Sequence, residues 1–249
     1  MTTQRHAGEV ALVTGANKGI GREIARRLAA EGMTVYLGAR DDQRGRIAAQ
    51  ELGGDGVDVR FVQVDVTDQA QIEAAAKQVD GDFGRLDVLV NNAGIGIEWG
   101  SSADEVTVEQ MRRTFEVNVF GVVAVTRAFI PLLRRSAAGR VVNLSSPLGS
   151  LSLIGDPDDE VSSVGLLAYS SSKTAVNSIT QLYANALRGD ITVNAVSPGF
   201  VATDLNHHRG QLSTGQGAEL PVRLALDADR TTGAFLQADH RGEPAVVPW

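Results

Sequence analysis

The sequence predicts an α/β protein, a single doubly wound parallel sheet of about seven strands with helices on both faces. Three observations carry this. Short β-branched runs recur along the first two thirds of the chain, and amphipathic helical patterns separate them. No repeat of 20–50 residues and no low-complexity linker divides the 249 residues. Strands that are apolar throughout belong to a parallel sheet covered on both faces, and right-handed crossovers carry the helices there. One domain, 1–249, is expected, and surface scaling has it burying about 72% of its unfolded area.

The elements follow in order. A first strand run at 10–14 leads into Gly15, Gly19 and Gly21, then a helix with Ile20, Ile24 and Leu28 spaced for one face. A second run at 34–37 ends near Arg40, and a third at 57–64 ends at Asp65 and Val66. The next helix carries Ile72, Ala75, Ala76 and Val79. A fourth run at 86–90 precedes Asn91, and a fifth at 141–144 precedes Ser145 and Ser146. The longest helical signal, 167–187, has Val176, Ile179, Tyr183, Ala186 and Leu187 as its apolar stripe. A sixth run, 191–196, ends at Ser197-Pro198-Gly199. Two stretches break the rhythm. Residues 152–163, with Asp156, Asp158, Asp159 and Glu160, read as a solvated acidic loop. Residues 206–220, rich in Gly, Gln and Ser and carrying His207 and His208, read as a mobile segment on the substrate side.

Composition excludes several classes. With 43% hydrophobic and 21% charged residues the chain is an ordinary globule. The absence of cysteine removes disulfide scaffolds, thiol catalysis and Cys-based metal sites, and suits a reducing compartment. A net charge of −7 lacks the basic footprint of a nucleic-acid partner. The N-terminal residues hold no apolar signal core, and the oily stretch 119–133 is broken by Arg127 and Pro131 and too short to span a bilayer. No membrane partner and a cytoplasmic location are expected.

Thr14-Gly15-Ala16-Asn17-Lys18-Gly19-Ile20-Gly21 opens directly into a helix. Its glycines allow a tight turn, a close backbone approach to a pyrophosphate and close helix–sheet packing, with the pyrophosphate on the helix N-terminus. A domain preferring NAD(H) holds the ribose 2′-OH with Asp or Glu about 20 residues further on. Here Arg40 stands at that place, with Lys18 inside the loop as a second cation, so a 2′-phosphate and hence NADP(H) is preferred over NAD(H). Asp41 and Asp42 follow as competing carboxylates. Asp65 and Val66 would lie beside the adenine, with a helix N-cap as the competing role of that turn.

These motifs, with Asn91-Asn92-Ala93-Gly94, Tyr169-Ser-Ser-Ser-Lys173 and Ser197-Pro198-Gly199, resemble the short-chain dehydrogenase/reductase family in order and rough spacing across nearly the whole chain. Asn17 to Gly21, Ala39-Arg40-Asp41 and the end at Trp249 are similar to its NADPH-dependent carbonyl reductases. The resemblance implies a Rossmann fold and a catalytic tetrad of Asn118, Ser146, Tyr169 and Lys173. It implies that Asn118 positions a water, that Asn92, Ala93 and Gly94 pass the adenine ribose, and that Pro198, Gly199, Val201 and Thr203 cover the nicotinamide. Substrate walls would include Trp99, Leu148, Ile95 and Glu98, Trp99 reading equally as a packing anchor. The residues argue for the chemistry independently. Tyr169 and Lys173, four apart on one helix face, would let an ammonium favour the phenolate; both would touch the cofactor, and Tyr169 and Ser146 the substrate. Tyr169 would then protonate a carbonyl oxygen that Ser146 hydrogen-bonds.

One departure stands out. Ser146 and Tyr169 are 23 apart in number, where the family usually spaces these roles by about a dozen. The surplus falls at 154–163, which leaves homo-oligomer and monomer both open. A hydrolase lacks its Gly-x-Ser-x-Gly elbow, and His6, His207, His208 and His240 offer no convincing triad base or metal cluster. The expected partner is a small carbonyl or alcohol. The alternative is a non-catalytic NADP(H)-binding sensor on the same fold.

Overall fold

The protein, seen in a computed structural model, is described for residues 6–227, 230–239 and 241–249, so His240 lies outside the described residues. Eight strands, β1 (Val10–Val13), β2 (Thr34–Ala39), β3 (Val59–Gln63), β4 (Val88–Asn91), β5 (Gly139–Leu144), β6 (Ile191–Ser197), β7 (Phe235–Ala238) and β8 (Pro244–Val246), form one sheet. Their order is β3-β2-β1-β4-β5-β6-β7-β8, parallel throughout except that β8 pairs antiparallel to β7. All six runs read from the sequence are strands. The two added ones are short, and β8 opens on a proline that only an edge strand tolerates.

The helices are α1 (Gly19–Ala30), α2 (Asp42–Leu52), α3 (Gln69–Phe83), α4 (Val108–Phe115), α5 (Gly121–Leu133), α6 (Leu151–Ile154), α7 (Leu167–Ala186) and α8 (Thr214–Ala225). Alternation along each strand splits the core in two. Ala11, Val13, Val35 and Leu37 meet Ile24 and Leu28 of α1 and Ala218 of α8, while Val10, Leu12 and Leu89 meet Ile72 of α3 and Val125 and Phe129 of α5. Each such fully buried Leu, Ile or Phe contributes about 1.5–3 kcal/mol.

Three expectations change. The segment 206–220 is not irregular throughout, because Ser213 and Gln216 form a capping box that starts α8 and buries Gly217, Ala218 and Leu220. The acidic stretch is ordered by its own acids. Asp156 accepts from Asp158 N and Asp159 from Val161 N, between α6 and a 3₁₀ turn at Glu160–Ser163. Ser152 N and Oγ also donate to the Trp249 carbonyl, and the Trp249 ring rests 5.6 Å from Phe235 at the sheet edge. Third, the oily stretch does not stop short. A π-helical segment, Glu116–Phe120, joins α4 to α5, so Val108–Leu133 makes a 26-residue helical run long and apolar enough to cross a membrane. Half of its most apolar stretch is buried inside the molecule.

The strand order reverses between β1 and β4. In such sheets ligands bind beyond the carboxyl ends of the strands at this point, and every motif of interest lies there.

Candidate active site

The glycine loop and the Asn92 segment form one unit. Thr14 Oγ1 accepts from the main-chain nitrogens of Asn92 and Ala93, both at 3.1 Å. Asn92 Nδ2 donates to the carbonyls of Thr14 (2.8 Å) and Gly15 (3.2 Å). Gly15 is left-handed at φ 64°, and a Cβ there would lie 2.9 Å from Ala93 Cα. A Cβ on Gly21 would fall 2.3 Å from Asn92 Nδ2. The first turn of α1 has neither a side-chain cap from Lys18 nor an acidic residue, so its N–H groups face outward without a built-in anion. Ile20 packs on the core, and Asn17 is half-buried in the loop.

Arg40 is exposed at the end of β2. Its carbonyl accepts from Gln63 Nε2, and its guanidinium has no partner among the described residues. Neither neighbouring carboxylate competes for the same role. Asp41 caps α2 by accepting from Arg44 N, and Asp42 pairs with Arg46. Lys18 differs from expectation, because its ammonium pairs with Asp204 at 2.5 Å rather than standing free. Asp65 accepts from Thr67 N and Oγ1, while Asp68 caps α3. The Val66 side chain packs on Gly121, which leaves only its main chain for a ligand.

Across the crevice, Gly199 turns the chain after β6 at φ 79°. Beyond Pro198 the Val201 side chain is buried against Gly217, and its main chain runs against Gly210. Thr203 comes close to the glycine loop, its methyl 3.7 Å from a Cβ built on Gly19. The cover is thus held to the loop at Thr203 and through Lys18–Asp204.

Ser146, Tyr169 and Lys173 converge at the carboxyl end of β5. The Ser146 hydroxyl lies near enough to the Tyr169 phenol to act on its titration. Lys173 Nζ lies 5.4 Å from the Tyr169 ring centroid and donates to the Leu144 carbonyl at 2.8 Å. Burial dominates both titrations. It pushes the Tyr169 phenol up to about 12, against a smaller lowering by Ser146, and pulls the Lys173 ammonium down to about 8. No depression of Tyr169 by Lys173 appears in the protein by itself: burial sets the shift and Ser146 alone opposes it.

Asn118 lies on the π-helical segment, a deviation common at functional sites. Its Oδ1 accepts from Ile95 N at 2.8 Å, and its Nδ2 donates to Ile95 O (2.9 Å) and Ser172 Oγ (3.0 Å). Both amide protons are engaged, so the side chain has no donor left for a water. Its part is to hold Ile95 and Gly94 beneath the crevice. Trp99 stacks beside Gly96 near Tyr169, with its Nε1 enclosed and unpartnered, and Leu148 donates its main-chain N–H to Ser146 Oγ.

The expected apolar stripe of α7 is only partly correct. Val176 is buried and Ile179 and Tyr183 half-buried, but Ala186 is exposed, and the buried face includes Ser172, Lys173, Asn177 and Thr180. Asn177 joins Ser145 Oγ and the Gly149 carbonyl, and Thr180 accepts from Asn143 Nδ2. Glu98 is not a substrate wall. It is 2% exposed and accepts from the main-chain nitrogens of Ala168 and Tyr169. The available signal was Leu166, a helix-starting residue with no acceptor in its side chain.

Comparison with known proteins identifies the family. The sequence profile of the short chain dehydrogenase family matches residues 9–212. The chain is 38% identical to (+)-neomenthol dehydrogenase of Arabidopsis thaliana, over 87% of this chain and 90% of that protein. It is 35% identical to carbonyl reductase (NADPH) 1 of Bos taurus, over 96% and 98%. That alignment spans 284 positions against the 249 residues here, so this chain lacks segments that the bovine protein has. The solved structure of salutaridine reductase from Papaver somniferum superposes with a TM-score of 0.79 at 32% identity, covering 91% of this chain and 99% of that one.

Proposed function

The chain belongs to the short-chain dehydrogenase family, and from that premise we propose that it transfers hydride between NADP(H) and a small ketone, aldehyde or quinone, or the corresponding alcohol. The family makes it an oxidoreductase. The cofactor, the reacting roles of Ser146, Tyr169 and Lys173, the supporting role of Asn118 and the carbonyl reductase type are our reading. The convergence of Ser146, Tyr169 and Lys173 at the switch crevice carries it.

The chain fits the cofactor. The uncapped first turn of α1 suits a pyrophosphate, and the Arg40 guanidinium, without a partner among the described residues, suits a 2′-phosphate. Gly15 to Gly21, Asn92 to Gly94 and the main chain of 198–203 would hold it. When bound, the nicotinamide supplies or accepts the hydride. Tyr169 Oη then gives its proton to the substrate oxygen, and Ser146 Oγ donates a hydrogen bond to that oxygen as charge develops. A phenol near 12 keeps its proton across neutral pH, which suits the reductive direction. The Lys173 ammonium beside the ring stabilises the phenolate left behind. Trp99 and Leu148 would flank the substrate, and a cytoplasmic setting suits a chain without cysteine.

The test is NADPH oxidation by the purified protein over a panel of ketones, aldehydes and quinones, with Tyr169→Phe alongside. Turnover that Tyr169→Phe abolishes supports the proposal. No turnover by the wild type, with NADPH still bound, would favour the non-catalytic sensor.

A further inference from the structure

We propose that Glu98 is a positioning residue for Tyr169, its buried carboxylate fixing where the phenol stands. The inference rests on the oxidoreductase reading above. Helix α7 begins without a cap of its own, since Leu166 at the N-cap position has no acceptor for the orphan N–H groups of the first turn. Glu98 supplies it from far away in sequence. Its Oε2 accepts from Ala168 N at 2.9 Å and its Oε1 from Tyr169 N at 2.6 Å. A carboxylate suits a helix N-terminus both by charge and as a double acceptor. One of the two residues it anchors is the tyrosine itself.

The other end of the same segment is fastened to the same helix. Asn118 grips Ile95 at both main-chain atoms and donates to Ser172 Oγ, which donates to the Tyr169 carbonyl at 2.6 Å. Between these anchors Gly96 lies against both Trp99 and Tyr169, where a Cβ would stand 3.2 Å from Trp99 Nε1 and 3.4 Å from Tyr169 Cδ2. The Tyr169 main chain is therefore held at its nitrogen by Glu98 and at its carbonyl through Ser172. Loss of Glu98 releases the nitrogen end while leaving the glycine loop and Arg40 as they are. Turnover should suffer and cofactor affinity should not.

The experiment compares Glu98→Ala and Glu98→Gln with the wild type, by kcat and KM on the best carbonyl substrate, NADPH Kd by fluorescence, and thermal midpoint. We expect kcat to fall roughly 10–100-fold in Glu98→Ala, because small misplacements of a reacting group are that costly. Glu98→Gln should lose several-fold, since an amide NH2, which can only donate, replaces one of the two accepting oxygens, and NADPH Kd should stay within about twofold in both. A folded Glu98→Ala with wild-type kcat overturns the inference, as does a loss matched by an equal loss of NADPH affinity. Should Glu98→Ala not fold, Glu98→Gln decides, and wild-type kcat in it overturns the inference. A wild type that oxidises no NADPH overturns both this and the functional reading, whereas an active wild type with unaffected variants overturns this alone.

Discussion

Lys173→Met should separate stability from activity at a single atom. The Lys173 ammonium is 6% exposed and its pKa falls from 10.5 to about 8 through burial. Between those two values the unfolded chain holds the proton and the folded chain does not. Wild-type stability therefore climbs as pH rises through that window, and below pH 8 the buried charge is a standing penalty of about 3 kcal/mol. Methionine has a similar reach and no charge, but it leaves the Leu144 carbonyl without its donor, a loss of about 1–3 kcal/mol. At pH 7 the variant should match the wild type or exceed it by up to about 2 kcal/mol. The sharper expectation is the pH dependence. The stability of the variant minus that of the wild type should fall by about 2–3 kcal/mol from pH 7 to pH 10. Urea unfolding followed by tryptophan fluorescence at each pH measures it. NADPH-dependent turnover of the variant should drop by roughly 10²–10⁴. A stability difference that stays constant within about 0.5 kcal/mol across this range would refute the account, because Lys173 would then not be held below its ordinary pKa.

Three further outcomes follow from the same geometry. Tyr169→Phe should lose roughly 10²–10⁴ in kcat with NADPH affinity unchanged, and residual activity above that range would assign the proton to another group. Arg40→Asp should shift the NADPH-to-NADH affinity ratio by roughly 10–100-fold through loss of a charge-assisted contact, and an unchanged ratio would show that Arg40 is not the selector. In Gly21→Ala the new Cβ would meet Asn92 Nδ2 at 2.3 Å and the Gly15 carbonyl at 2.8 Å. It should destabilise the protein by about 1–3 kcal/mol and weaken NADPH binding, read as a lower thermal midpoint and a raised Kd. Wild-type values for both would mean that the Asn92 clasp is dispensable.

Much of the architecture was legible because it rests on local rules. Six strands announced themselves as β-branched runs, and the glycine loop, Asn92, Ser146, Tyr169 and Lys173, picked out by motif, all lie at or just beyond the carboxyl ends of strands. The cap at Asp68 was legible as the competing role of its turn, whereas the local caps of α2 at Asp41, α4 at Thr107 and α8 at Ser213 were overlooked in polar stretches. Strands β7 and β8 were missed because β7, Phe235–Ala238, holds no β-branched residue and β8 opens on a proline. The pairing of Lys18 with Asp204 was beyond reach, since it joins residues on opposite sides of the crevice that only the closed fold brings together.

The buried face of α7 shows why periodicity misread the helix that matters most. A hydrophobic stripe is the signature of a helix whose only task is to cover a core. Helix α7 must also point Tyr169 and Lys173 into the crevice, so polar residues continue along the face it turns inward. Burying Ser172, Asn177 and Thr180 is tolerable only if each finds a partner. Each does: Ser172 on Asn118 and Tyr169, Asn177 on Ser145 and Gly149, Thr180 on Asn143. Asn143 accepts in turn from Asn91, which also donates to Thr126 of α5, so a polar row crosses the sheet beneath the site. Such a network specifies one register of helix against sheet, whereas an apolar face would permit several nearly equivalent ones. What reads as a weak helix in one dimension is thus a helix whose position along its axis is tightly determined, as the proposed role of the Tyr169 phenol requires.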